Sequence, residues 1–161
     1  MMIFGVDCGK NRVHIVGDGT AFECVVKPGT PRDEALFHMR EGLSKWLVLE
    51  QDATRHGTRL YVEAPVVAGA RNLQTTIGIA ETVGMVLSLG FPATLVPIST
   101  WKKAVVGKGN AKKEDVEAWY SSTGGTLKGQ DFYDAAAIHA YGVQDMDLAQ
   151  RLRGGILTTE A

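Results

Sequence analysis

Three short runs of β-branched and aromatic residues open the chain, at 2–7 (Met-Ile-Phe-Gly-Val-Asp), 12–17 and 21–27. Gly9-Lys10-Asn11 supplies turn chemistry between the first two, and Asp18-Gly19 is a hairpin signal between the second and third. The pattern predicts three antiparallel strands in succession. Thr30 then offers a helix N-cap and Pro31 a first helical residue. Leu36, Met39, Leu43, Trp46 and Leu47 recur at helical spacing, which predicts an amphipathic helix over 31–52. Residues 59–63 form a fourth strand, stopped by Ala64-Pro65.

From 71 to 89 the helical pattern is apolar on nearly every side. Leu73, Ile77, Ala80, Gly84 and Leu87 make one stripe, and Ile79, Val83 and Val86 another. Such a helix has two faces to bury, one on the sheet and one on a second helix or another subunit. A fifth strand follows at 93–97, then shorter helices near 99–105, 112–122 and 131–141, with Gly142 as a C-terminal stop. Residues beyond Asp145 are expected to form a tail, with at most one or two helical turns before Gly154-Gly155. This order implies an α/β domain, a mixed five-stranded sheet flanked by helices.

Composition adds bounds. The 161 residues suit a single domain, 45% of them are apolar, and the formal charge is −1. Two cysteines, Cys8 and Cys24, are too few for a disulfide scaffold and lack metal-ligand spacing. With no signal-peptide pattern and no apolar run long enough to cross a bilayer, the expectation is a soluble, cytoplasmic protein without a membrane partner. Near-neutral bulk charge permits nucleic-acid binding only if the charges are segregated.

The acidic residues carry the chemistry. Asp7 ends the first strand and Glu63 the fourth; parallel pairing of those strands would place both carboxylates at one sheet edge. Asp131 and Asp134 share a helix face that continues through Ile138 and Tyr141, a core-directed stripe rather than a solvated one. Singly, each acid reads equally well as a turn residue or a cap. Together they are four hard oxygen donors from three elements, a set that favours Mg²⁺, with Mn²⁺ able to substitute. Carboxylates holding two such ions about 4 Å apart cleave phosphodiesters. The expected division of labour has Asp7 bridging both ions and Glu63 and Asp134 holding one each. Asp131 completes the site or orients the attacking water.

These residues resemble a known family, the RuvC-type Holliday junction resolvases of the ribonuclease H-like superfamily. The likeness lies in Gly5-Val6-Asp7-Cys8-Gly9, Glu63 at a strand end, the loop from Val105 to Lys113, and Asp131-Phe132-Tyr133-Asp134 followed by Ala135-Ala136-Ala137-Ile138. It implies that Asp7, Glu63, Asp131 and Asp134 are the catalytic acids and that Lys102 and Lys113 are basic residues near the active centre. It also implies a homodimer, joined through the 71–89 helix, that nicks opposed strands of a four-way DNA junction to leave 5′-phosphates. Two positions depart from the family. Cys8 stands where a proline is usual, and Val66-Val67 where an aromatic side chain sits near the junction centre. Junction preference against flaps or forks therefore stays open.

Charge is segregated as nucleic-acid binding requires. Between Pro65 and Lys113 lie Arg71, Lys102, Lys103, Lys108, Lys112 and Lys113 against one acid, Glu81. These lysines, with Arg71 and Asn72 at a helix start, are the expected phosphate contacts. A solvated face is the plainer reading of the same run. His14, His38 and His56 are set aside for want of partners at useful spacing, and His139 is read as a core or surface histidine inside the last helix. Trp101 is assigned to packing with base stacking as the alternative, and Cys8 is read as a small hydrophobe. The leading expectation is a metal-dependent, structure-selective DNA endonuclease. Its rivals are a broader flap or fork nuclease, a ribonuclease H, and a non-catalytic DNA-binding relative. An actin-like kinase lobe would share the Gly5–Gly9 loop but needs a second lobe.

Overall fold

A computed structural model of the chain describes residues 1–54, 57–66 and 73–157. Arg71, Asn72, Val67 and His56 lie outside the described residues. Strands β1 (Met2–Gly9), β2 (Arg12–Gly17) and β3 (Thr20–Val25) form the antiparallel meander that the turn residues predict. Helix α1 (Arg32–Thr54) leads to β4 (Thr58–Glu63), α2 (Leu73–Leu87) and β5 (Ala93–Val96). Both β4 and β5 run parallel to β1, giving the sheet order β3-β2-β1-β4-β5.

Alternation along the strands creates two cores. Phe4, Val6 and Cys8 of β1, with Leu60 and Val62 of β4, face α1 and α2 through Met39, Leu43, Leu47, Val83 and Val86. Tyr61 points the other way, into a core with Val96, Trp101, Val116, Ala137 and Ile138. The molecule is thus three layers, with α1 and α2 on one face. The other face is covered by α3 (Ile98–Trp101) with its π-helical continuation Lys102–Val106, α4 (Lys113–Ser122) and α5 (Gln130–Leu157).

Two local expectations are corrected. Thr30 does not cap α1, because its hydroxyl donates to the Lys27 carbonyl at 2.9 Å and serves the preceding turn. Nor does Gly142 end the last helix, which runs unbroken to Leu157 where a tail was expected. The glycine is there for close approach: a Cβ at residue 142 would lie 2.5 Å from the Tyr61 ring and 2.9 Å from the Ile3 side chain. One turn further, Asp145 accepts a 2.8 Å hydrogen bond from the Tyr61 hydroxyl, pinning the extended helix to the sheet.

Helix α2 has the two faces that its pattern predicts. Val83 and Val86 are buried on the sheet, whereas Leu73, Ile77, Ala80, Gly84 and Leu87 are exposed. Among the described residues, no helix is long and apolar enough to cross a membrane.

Candidate metal centre and nucleic-acid interface

The carboxyl end of β1 and β4 gathers the acids. Their parallel register ends at Val6 opposite Val62, and the next residues are Asp7 and Glu63. On the other side of β1, His14 of β2 is the direct register partner of Asp7. Helix α5 crosses this edge very closely, because residue 5 is glycine: a Cβ there would fall 2.2 Å from the Ala135 carbonyl oxygen and the His139 nitrogen. That approach delivers Asp131 and Asp134, on the first turns of α5, to the strand ends.

The tightest grouping is Asp7, His14 and Asp131, each offering a donor atom within 4.8 Å of the others. Arg12 clamps the outer side of Asp131, with Nε 2.9 Å from Oδ2 and Nη2 3.3 Å from Oδ1. The other two acids are held by neutral donors. Trp101 Nε1 donates to Glu63 Oε2 at 2.9 Å, and Gln130 Nε2 donates to Asp134 Oδ1 at 2.9 Å. Such hydrogen bonds fix carboxylate orientation and favour the charged form without supplying a counter-charge.

The electrostatics record how crowded the acids are. Burial pushes Asp7 well above the ordinary carboxylate range, and the charges of Glu63, Asp134 and Asp131 add to that, with Arg12 opposing. Glu63 is pushed up to about 7, chiefly by burial, against the lowering effect of the Trp101 hydrogen bond. Asp134 is raised by burial too, while Gln130, Lys102 and Lys113 pull it down. His14 is lowered by burial, which favours the neutral imidazole. Anions pressed together at this cost are what a divalent cation relieves. The donor set fits such an ion: hard carboxylate oxygens, with the buried His14 Nδ1 unpartnered beside them.

The predicted basic residues divide into groups. Lys102 and Lys113 bear electrostatically on Asp134, and Lys102 also on Glu63. Lys102 Nζ donates to the Ala111 carbonyl at 2.8 Å, which anchors it next to the acids. Lys108 pairs with Asp115 at 2.9 Å, and the Lys112 backbone N–H donates to the same carboxylate at 2.9 Å to start α4. Lys103 is exposed on a shallow cleft of 560 Å³ with Ser99, Thr100, Ala104 and Gly109. Arg71 and Asn72 lie outside the described residues.

Four residues of this site escape a reading by motif. His14, set aside for want of partners, faces Asp7 and Asp131, and Arg12 pairs with Asp131. Trp101 is buried as expected but also holds Glu63, and Gln130 holds Asp134. The signal for His14 was register. A two-residue turn at Lys10-Asn11 sets Gly9 against Arg12 and hence Asp7 against His14. Cys8, by contrast, is buried in the core between the sheet, α1 and α2, and burial raises its thiol well above the ordinary range.

No protein-family model matches the chain, and no curated protein does. Solved structures do. A Thermus thermophilus RuvC structure aligns with a TM-score of 0.57 at 18% identity, covering 86% of this chain and 91% of that one. T. thermophilus RuvC in complex with Holliday junction substrate aligns with a TM-score of 0.58 at 17% identity, covering 86% and 90%. The fold is therefore that of the RuvC structures, the fold that the resemblance implies, on the mixed five-stranded sheet that the order of strands predicts.

Proposed function

We propose that the protein is a metal-dependent, structure-selective DNA endonuclease that resolves four-way junctions, its described elements acting as one nuclease domain. The observation that carries the reading is the meeting of Asp7, Glu63, Asp131 and Asp134 at one sheet edge, where each of the other three charges raises Asp7. The likeness to a RuvC structure holding a Holliday junction supports the choice of substrate.

Asp7, Glu63, Asp131 and Asp134 would hold two divalent cations, with Mg²⁺ expected and Mn²⁺ able to substitute. When bound, these ions supply Lewis acidity toward phosphate oxygens and acidify water at neutral pH. The chain does the positioning. Trp101 and Gln130 set the rotamers of Glu63 and Asp134, and Lys102 and Lys113 attract the phosphates flanking the scissile bond. Lys103, Lys108, Lys112, Arg71 and Asn72 extend the contact along the DNA arms.

A four-way junction has two equivalent strands to cut, so the function asks for two sites. The exposed stripe of Leu73, Ile77, Ala80, Gly84 and Leu87 on α2 supports a homodimer that buries it. A second reading, a broader branched-DNA nuclease, is favoured by Val66, which is 54% exposed beyond Glu63 where an aromatic would stack on bases.

Cleavage of a fixed four-way junction, a flap, a fork and an RNA–DNA duplex, each with Mg²⁺, Mn²⁺ and Ca²⁺, tests the proposal. Paired, symmetric nicks in the junction with Mg²⁺ or Mn²⁺ support it. Equal cutting of flaps and forks selects the broader nuclease, and tight junction binding without any cutting selects a non-catalytic relative.

A further inference from the structure

We propose that His14 is itself a ligand of this metal centre, adding an imidazole nitrogen from β2 to the carboxylates of Asp7 and Asp131 and tilting the site toward Mn²⁺ over Mg²⁺. The inference rests on the reading of the acids as metal holders and goes beyond it in donor chemistry.

His14 is 5% exposed, yet its Nδ1 has no hydrogen-bond partner. The atom is aimed at the acids: it lies 4.0 Å from Asp131 Oδ2 and belongs to the grouping with Asp7. That distance is too long for a hydrogen bond, but below the roughly 4.4 Å that two ligands on opposite sides of one ion can span. The other ring nitrogen is committed. Nε2 sits 3.2 Å from Glu23 Oε2, so its proton is directed to that carboxylate and the lone pair is left on Nδ1. A carboxylate behind an imidazole, with the free nitrogen facing a metal, is the usual way to fix tautomer and orientation at metal sites. Phe132 completes the mount, its ring meeting the imidazole edge-on at 4.7 Å between centroids.

The charge around the atom agrees. Arg12 is paired with Asp131 from its exposed side, while Lys102 and Lys113 bear on Glu63 and Asp134. The face of Asp7 and Asp131 toward His14 Nδ1 thus has no cation of its own among the described residues. Mn²⁺, as a transition ion, accepts an imidazole nitrogen more readily than Mg²⁺, which binds chiefly through oxygen. One nitrogen among carboxylates therefore shifts preference toward Mn²⁺ without excluding Mg²⁺.

The test uses Mn²⁺ bound to the full chain and read by electron spin-echo modulation. Of the four histidines, His14 is the one that joins two acids in a metal-sized group among the described residues, whereas His38 and His139 each pair with a single acid. Uniform ¹⁵N-histidine labelling of the unaltered protein should replace a ¹⁴N modulation with the ¹⁵N pattern. His14→Gln should abolish the modulation, weaken Mn²⁺ binding about tenfold and change Mg²⁺ binding less than about threefold. Stoichiometric Mn²⁺ that is lost in Asp7→Asn but shows no histidine nitrogen coupling would overturn the inference and leave the acid centre standing. Failure of the unaltered protein to bind Mn²⁺ at all would overturn both. Because the labelling arm needs no substitution, the inference is decided even if His14→Gln does not fold.

Discussion

The indole nitrogen of Trp101 donates to Glu63 Oε2 at 2.9 Å, so the largest fully buried side chain among the described residues is tied to one of the four acids. Trp101 lies at the junction of α3 and a π-helical turn, and Lys102 follows it with its ammonium 5.5 Å from the indole ring centre. π turns are rare and concentrate at functional sites. Here the turn lets consecutive residues serve the site differently, one bonding Glu63 from within the core and the next lowering its affinity for a proton by charge.

Trp101→Phe should keep most of the packing and delete the hydrogen bond. That bond lowers the Glu63 value, so its loss sends the carboxyl further above 7. Metal binding requires the deprotonated ligand. The pH at half-saturation with Mn²⁺ should therefore rise in the variant, with a stability loss of about 1–3 kcal/mol. An unchanged binding–pH curve would show that Trp101 only fills space.

Burial of the acids, reinforced by their mutual charge, sets a pH dependence of stability for the metal-free protein. Glu63 is raised from 4.5 to about 7, so the folded state holds a proton that the unfolded chain has released. Stability from this group is therefore full below about 4.5 and is lost as pH rises through 7, an effect on the order of 3 kcal/mol. Asp7 and Asp134 are raised too and share that sign. His14 is lowered and opposes it. Thermal unfolding in chelator should show the melting temperature falling between pH 5 and 7, and saturating Mn²⁺ should remove the fall. A flat profile in chelator would mean that these carboxyls are not buried and crowded as the structure has them.

Much of this arrangement was legible in the chain, because the fold rests on periodicities that few alternatives satisfy. The alternation in 59–63 sets Tyr61 and Glu63 on the side opposite Leu60 and Val62, and the cores divide Tyr61 from Leu60 and Val62 in that way. The two stripes of α2 separated Val83 and Val86 from the exposed Leu73, Ile77 and Leu87. What escaped depends on tertiary partners. Gly142 has the composition of a stop, but its close approach to Tyr61 makes it a mid-helix contact. Arg12 and Gln130 carry no motif, and their roles exist only once α5 is laid across β1 and β2.

Asp7→Asn should abolish junction cleavage while binding survives, since the phosphate contacts lie on other residues. A loss of at least about 10³-fold in rate is expected. The same change removes an anion that burial and three neighbouring carboxylates all disfavour. The variant should therefore be more stable than the parent in chelator at pH 7, by about 1–2 kcal/mol. Undiminished nicking would remove Asp7 from the mechanism, and lower stability would contradict the crowding.

Lys113→Ala separates charge from chemistry. Lys113 is exposed, and its charge bears on Asp134. Its removal should weaken junction binding and reduce the salt slope by about one. The cleavage rate at saturating enzyme should change far less than the affinity. An unchanged slope would exclude Lys113 from phosphate contact.

Gly142→Ala tests why α5 continues where its sequence suggests a stop. If the glycine ended the helix, alanine would cost little or would lengthen it. In the observed packing, the new Cβ meets the Tyr61 ring at 2.5 Å and Ile3 at 2.9 Å, both inside the layer between α5 and the sheet. The ring has little room to yield, because Tyr61 is fully buried, its hydroxyl is bonded to Asp145, and Tyr141 packs edge-on with centroids 6.0 Å apart. The helix must then lift from the sheet, at a cost of about 1–3 kcal/mol. Because the same helix carries Asp131 and Asp134, Mn²⁺ affinity should fall together with stability. Denaturant unfolding and metal titration of the one variant measure both, and a variant as stable as the parent would mean that α5 does not sit against Tyr61.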